Sequence, residues 1–472
     1  MASEVVFILS NYFIHIFIAR YLGVEAYGVF GVLMSLYLIN RAFLNTGVPK
    51  AVSKFIAESS NTSGVVKASL RLQLILALLF ASGYILLAPV LAKLLGDATL
   101  LPYIIILGVI VVPLALQSLY LGGFLNGLRL FREQAFMKAL FPLCRVLFTV
   151  VLIVLGLGLY GALFALFLAS FVGIIGVRRL LERKIHGEGE FSYHQLVKFA
   201  LPLSIAALGF ALIRNVNVLF LKGLLQDNVA AGLYTAALTL SNLPYMVFTA
   251  LPLALFPSIS RAIANQNEKL AHKYIQQSVR YALLLLLPVS AMMAASSADL
   301  VRLFYSADYS GAASALSILL WSGAALSLFT VMTSVVSASG RPGVEMWMAY
   351  LFLGLMSVLN IILIPRYGIV GAAWSSLLTA LIGFVLAMSI VVRRFGPVVK
   401  LRSVLNIGFA SAWAFLLMYL QHFSGVLLLL SYALLFLVYI SVLFIVGELR
   451  AEDWQVVQKI FKRPRLENAG NR

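Results

Sequence analysis

Cysteine occurs once in 472 residues, at Cys144. A single thiol excludes a disulfide within the chain and a multi-cysteine metal site, and its position inside an apolar run marks it as packing. Charge is also scarce, at 11% Asp, Glu, Lys and Arg. The 17 acidic residues fall in loops, in the tail or at helix ends, so no apolar segment carries a central carboxylate. Signatures of soluble chemistry are missing too: there is no glycine-rich phosphate loop, no HExxH zinc motif, no GxSxG elbow and no Cys/His cluster. The connecting segments are too short for an enzyme domain. No catalytic residue, cofactor or metal site is therefore expected.

What the chain has instead is apolar surface: 62% hydrophobic residues and a mean hydropathy of +1.01. Apolar runs of about 20 residues recur along the whole length rather than once at the start, so they are membrane spans and not a secretory signal. Fourteen are predicted, near 2–22, 26–47, 68–95, 100–125, 137–157, 160–180, 199–221, 232–256, 276–297, 312–338, 346–364, 369–392, 403–421 and 425–447. Short turns such as "LGVEAYG" (22–28), "GLGLYG" (156–161) and "PRYG" (365–368) separate some of them. The fold class read from this pattern is an all-α polytopic membrane protein with about 14 transmembrane helices, in two six-helix lobes plus two extra helices. The predicted boundaries are 1–185 for the first lobe, 186–198 for a linker, 199–394 for the second lobe, 395–447 for the extra pair and 448–472 for a tail.

The halves resemble one another. An offset of 204 residues places Asn11 on Asn215, Gly28 on Gly232 and Leu36 on Leu240. An even number of spans per unit makes these parallel repeats, related by an axis along the membrane normal with a cavity between lobes. With the N-terminus inside, inner segments hold 27 of the 35 Lys and Arg, outer segments five and spans three. That imbalance predicts cytoplasmic N- and C-termini in a cell (cytoplasmic or inner) membrane. The formal charge of +18 is then topology, and the lack of any nucleic-acid-binding motif argues against a nucleic-acid partner. In the tail, "AEDWQVVQKIFKRPR" (451–465) spaces Trp454, Val457 and Phe461 helically among Lys and Arg, which predicts an amphipathic helix on the inner bilayer surface.

The three basic residues inside spans are Arg41, Arg145 and Arg214. An arginine at the bilayer centre costs from about 2.5–3.5 to about 10–17 kcal/mol depending on the reference state, so something must compensate. With no central carboxylate on offer, Arg214 is expected to face water or a ligand in the cavity. Polar stripes accompany the cations: Asn215 and Asn217 beside Arg214; Tyr37 and Asn45 flanking Arg41 at i, i+4, i+8; Thr235, Thr239, Asn242 and Thr249 on the eighth span; and Asn11 with His15 on the first. Pro244, Pro252 and Pro257 mark the eighth span as a predicted hinge.

"ARYLGVEAYGVFGVLMSL" (19–36), "LNTGVPKAVSKFIAE" (44–58), "FALPLSIAALGFALIRNVNVLFLKGLLQDNVAAGLYTAALTL" (199–240) and "RYGIVGAAWSSLL" (366–378) together resemble the polysaccharide-transporter branch of the multidrug/oligosaccharidyl-lipid/polysaccharide exporter superfamily, which includes the O-antigen-type flippases. The resemblance spans essentially the whole chain. It implies an alternating-access transporter moving a polyprenyl-diphosphate-linked oligosaccharide from the inner to the outer leaflet, in company with polysaccharide polymerase or glycosyltransferase machinery. The ion-coupled multidrug-type exporters of the same superfamily are the alternative. Members often carry an acid near the position of Asn217; here there is none. A short basic leader is also expected ahead of the first span, upstream of Met1.

Overall fold

The structure, a computed structural model, describes residues 2–58, 62–181, 190–248, 258–339, 342–421, 423 and 425–449. Where no water reaches the backbone, every N–H and C=O must be satisfied within its own segment, so the apolar runs become helices. In chain order these are α1 Ala2–Glu58, α2 Thr62–Leu94, α3 Leu100–Ser118, α4 Phe131–Leu152, α5 Gly158–Leu181, α6 Tyr193–Leu225, α7 Asn228–Phe248, α8 Glu268–Ala295, the short α9 Ser297–Phe304, α10 Ala312–Ala338, α11 Pro342–Phe395, α12 Leu401–Leu420 and α13 Val426–Ile445. Bulky apolar side chains such as Leu79, Leu86, Phe444 and Ile445 point outward, as a lipid-facing surface requires.

Among the described residues ten stretches are long and apolar enough to cross a membrane. Three of them, Ser3–Glu58, Phe131–Leu181 and Met346–Phe395, are 50 residues or longer, far beyond the roughly 20 that one crossing needs. Each folds back on itself, giving thirteen crossings, and α7 supplies the fourteenth. The reversals are tighter than the loops predicted from sequence: helix continues up to a single break at Gly23 and at Gly368, with φ of +83° and +58°. No atom crowds either glycine, so the positive φ is what demands the residue there. The hairpins are confirmed by contacts across each turn, such as His15 Nδ1 to Tyr27 Oη at 2.9 Å.

The fourteen crossings form two six-helix lobes with an extra pair beside them, the fold class read from the sequence. The repeat is visible in atomic contacts. A Cβ at Gly28 would lie 1.9 Å from the carbonyl oxygen of Asn228, and one at Gly232 would lie 2.1 Å from that of Val24. The 204-residue offset carries Gly28 onto Gly232 and Val24 onto Asn228, so it exchanges the two pairs, and the axis relating the lobes passes between the second and eighth crossings.

Both ends of this interface carry polar inter-lobe contacts. On the face that holds the N-terminus, Ser204 Oγ donates to Phe43 O at 2.8 Å. On the opposite face Lys222 Nζ meets Asp97 Oδ2 at 2.9 Å, and Asn228 Nδ2 donates to the same oxygen at 3.1 Å. Arg20 donates to the carbonyls of Leu303 and Phe304 at 2.6 and 2.9 Å, and Tyr309 Oη to Ala19 O at 3.0 Å. Burial pushes the Asp97 carboxyl up, but hydrogen bonds from Thr99, Lys222 and Asn228 and the Lys222 charge outweigh it and pull the pKa down to about 2.

The extra pair α12–α13 is fastened by Glu448, just past α13, which receives Arg280 Nε at 2.9 Å and Asn406 Nδ2 at 3.3 Å. Burial raises the Glu448 carboxyl, and these donors together with Ser403 hold it below its ordinary range. Several sequence expectations fall outside the described residues: the amphipathic tail, Pro252 and Pro257 of the hinge, Thr249 of the polar stripe, and 186–189 of the linker. The remainder of that linker is helical from Tyr193 onward.

Candidate functional site

A cavity of about 500 Å³ lies between the lobes, walled by α1, α4, α6 and α7. All three intramembrane arginines reach it. Arg41 sits on the second half of α1 with its guanidinium 5.5 Å from the Phe7 ring. Arg145 is buried on α4; its Nη1 donates to Asn11 Oδ1 at 3.4 Å and its Nη2 lies 3.9 Å from Met34 Sδ. Its Nε is buried with no hydrogen-bond partner, so a group with five donors uses few of them. Arg214 on α6 is exposed to the cavity, donates from Nη2 to Asn242 Oδ1 at 3.1 Å and lies 4.3 Å from the Tyr245 ring centroid. Among the described residues no carboxylate forms an ion pair with any of the three, and no Asp or Glu lines the cavity.

Of the other residues singled out in the sequence, Asn11, His15, Tyr37, Asn215, Thr239 and Asn242 line the same cavity. His15 is tied to Tyr27 and packed edge-on to Phe30 at 5.3 Å, a satisfied group at the cavity's edge. Asn45 does not reach the central cavity; it lines a neighbouring chamber on the N-terminal face.

Asn217 is off the central wall but lines, with Arg214, Asn242 and Tyr245, a smaller pocket beside it. Three residues along a helix is about 60° short of a full turn, enough to point Arg214 at the cavity and Asn217 toward α11. There Asn217 Oδ1 accepts from Asn360 Nδ2 at 2.7 Å, and its Nδ2 donates to Tyr234 Oη at 3.1 Å and to Ser376 Oγ. Ser375 Oγ donates to Asn360 Oδ1. This buried knot of neutral groups satisfies its own members and joins α6, α7 and both halves of α11. Among the described residues no group of three or more His, Cys, Asp or Glu could hold a metal ion.

Sequence reading passed over Tyr12, which lines the cavity and donates from Oη to Thr239 O at 3.0 Å. It also missed the seal above the cavity, where Tyr27 Oη stands 3.4 Å from both Thr239 Oγ1 and Tyr305 Oη. Tyrosines near span ends read as interfacial anchors, and nothing in the spacing separates those from residues that meet across lobes.

A two-lobed helical bundle enclosing a basic cavity is the build of a membrane transporter, and comparison with known proteins agrees. In solved structures, the fold matches "Lipid II flippase MurJ, inward closed conformation" with a TM-score of 0.77, 14% identity and coverage of 94% of this chain and 98% of that one. A multidrug resistance MATE family transporter of the MOP superfamily, in an inward-facing conformation, matches with a TM-score of 0.70, 15% identity and coverage of 82% and 94%. An uncharacterized membrane protein of Methanocaldococcus jannaschii is 24% identical over 404 residues, covering 81% of this chain and 93% of the relative. Residues 4–263 match the polysaccharide biosynthesis protein family and residues 202–365 the MatE family. The chain belongs to the polysaccharide biosynthesis protein family, within the multidrug/oligosaccharidyl-lipid/polysaccharide exporter superfamily. It is a transporter or flippase rather than an enzyme.

Proposed function

We propose that this protein is an alternating-access flippase that moves a polyprenyl-diphosphate-linked oligosaccharide from the inner to the outer leaflet of the cell membrane for polysaccharide biosynthesis. The observation that carries the reading is the convergence of Arg41, Arg145 and Arg214 on one cavity with no acidic residue in its wall. A diphosphate brings about two negative charges that cannot cross hydrocarbon bare. Guanidinium groups stay protonated when buried and offer a planar fork matched to phosphate oxygens. Unpaired donors on a buried Arg145 are what an anion would complete. The drug-exporting alternative handles cations, which a wall of three arginines repels.

In this reading both termini are cytoplasmic, the side on which most Lys and Arg fall. Arg41 and Arg145 receive the headgroup, and Arg214 takes it over toward the far leaflet. Outward movement of two negative charges across an inside-negative membrane gains about 4.6 kcal/mol per 100 mV. Polymerase or glycosyltransferase machinery supplies and consumes the cargo.

A strain lacking the gene is expected to accumulate the lipid-linked saccharide on the inner leaflet and to lose surface glycan. Wild type restores both, Arg214→Lys in part, and Arg214→Ala and Arg214→Glu not at all at equal membrane levels. Full restoration by the Ala and Glu variants would remove Arg214 from the transport path.

A further inference from the structure

Beside the central cavity, on the N-terminal face of the first lobe, lies a second chamber of about 250 Å³. Phe7, Tyr37 and Arg41 form the partition, since they line both spaces. The chamber's remaining polar wall is Ser3, Asn45, Gln117, Ser118 and Lys138, with Glu4 as the one acid. Three features set it apart from a packing defect.

Its floor includes Leu121 and Gly122 of the π-helical segment Leu119–Phe124 that continues α3, a widened geometry frequent at functional sites. Apolar side chains, among them Phe7, Leu114, Leu121 and Phe141, line it together with the cations. Finally, the Lys138–Glu4 pair at the mouth is long, 3.5 Å, and exposed, with side chains 41% and 62% accessible. Such a pair is weakly held and easily exchanged. A molecule entering at this mouth could keep its hydrocarbon against Phe7, Leu121 and Phe141, which line the chamber, while its polar end met Arg41 and Lys138.

We propose that this chamber is a reception site for the phosphate of an inner-leaflet lipid, held between Arg41 and Lys138, with Glu4 occupying Lys138 until the phosphate displaces it. The proposal rests on the reading of the central cavity as a path for lipid-borne anions and adds the step before it. Exchange of a carboxylate for a phosphate on Lys138 raises the negative charge facing Arg41. Arg41, shared by both spaces, then passes the group toward Arg145.

The test uses the full chain in nanodiscs with a benzophenone amino acid at Phe141, which lines the chamber, and farnesyl diphosphate as the probe. Glu4→Gln is expected to strengthen photocapture about threefold and Lys138→Gln to weaken it up to about fivefold, the scale of an exposed ion pair. Strengthening on loss of a charge is not what a merely structural pair would give. Phosphatidylglycerol competing as well as farnesyl diphosphate would keep the site and identify its source as any anionic lipid. Equal competition by inorganic pyrophosphate, or capture unchanged in both charge variants, would overturn it. Capture that follows the charge variants while a strain lacking the gene neither accumulates a lipid-linked saccharide nor loses surface glycan would leave this site standing and remove the flippase reading instead.

Discussion

At the scale of single residues, the buried cation without an anion is the informative feature. Removing one partner of a buried pair is costly because a charge is stranded. Arg145 strands no counter-charge, since among the described residues its acceptors are the neutral Asn11 and Met34. Arg145→Met should therefore leave thermal stability unchanged or raise it, while flipping falls at least tenfold; a large drop in unfolding temperature would mean that Arg145 is structural. Arg41, Arg145 and Arg214 were legible because charge is rare in apolar runs. Asn217 shares a smaller pocket with Arg214 rather than the central wall, and the Lys222–Asp97 pair left no signal in the sequence because its partners are 125 residues apart.

At the scale of helices, the seal on the face opposite the termini rests on close backbone approach and on one ion pair. Gly28 and Gly232 meet carbonyl oxygens that cannot rotate aside, so Gly28→Ala or Gly232→Ala should pry the second and eighth crossings apart. Maleimide labelling of Ser35→Cys in the cavity wall, applied from outside, should rise in these variants; labelling that stays at background would show that the seal lies elsewhere.

The ion pair has a definite pH signature. A carboxylate whose folded pKa is depressed contributes stability above its unfolded value, near 4, and loses it as pH falls toward its folded value, here about 2. The Asp97 latch should thus be indifferent to pH between about 5 and 8, and the same labelling assay should give flat rates across that range. Asp97→Asn should open the seal at every pH, because Lys222, 1% exposed, is left without its counter-charge. The 204-residue repeat was readable from Gly28 and Gly232 in sequence; that they touch was not, because a repeat offset says nothing of distance.

At the scale of the whole molecule, the Arg280–Glu448 pair decides how the extra helices are held. Both side chains are nearly buried, at 10% and 5% exposure, so Arg280→Ala should destabilise by about 3–5 kcal/mol, and Arg280→Met with Glu448→Leu should recover most of that loss. Equal losses in the single and double variants, read by thermal unfolding in detergent, would show that the pair does not fasten α12–α13. Fourteen crossings and two lobes were legible because bilayer thickness fixes span length. The tightness of the hairpin turns was not, since one positive-φ glycine at Gly23 and at Gly368, and two at Gly156 and Gly158, do the work that turns of several residues were expected to do.

The central claim is that the cavity between the lobes carries a lipid-linked anion. The most direct measurement is flipping in proteoliposomes of two fluorescent lipids with the same short saccharide, one joined through a diphosphate and one through a neutral ether. Wild type should move the diphosphate lipid and leave the neutral one, and Arg214→Ala should move neither. Equal rates for the two lipids, or diphosphate flipping by Arg214→Ala at the wild-type rate, would contradict it.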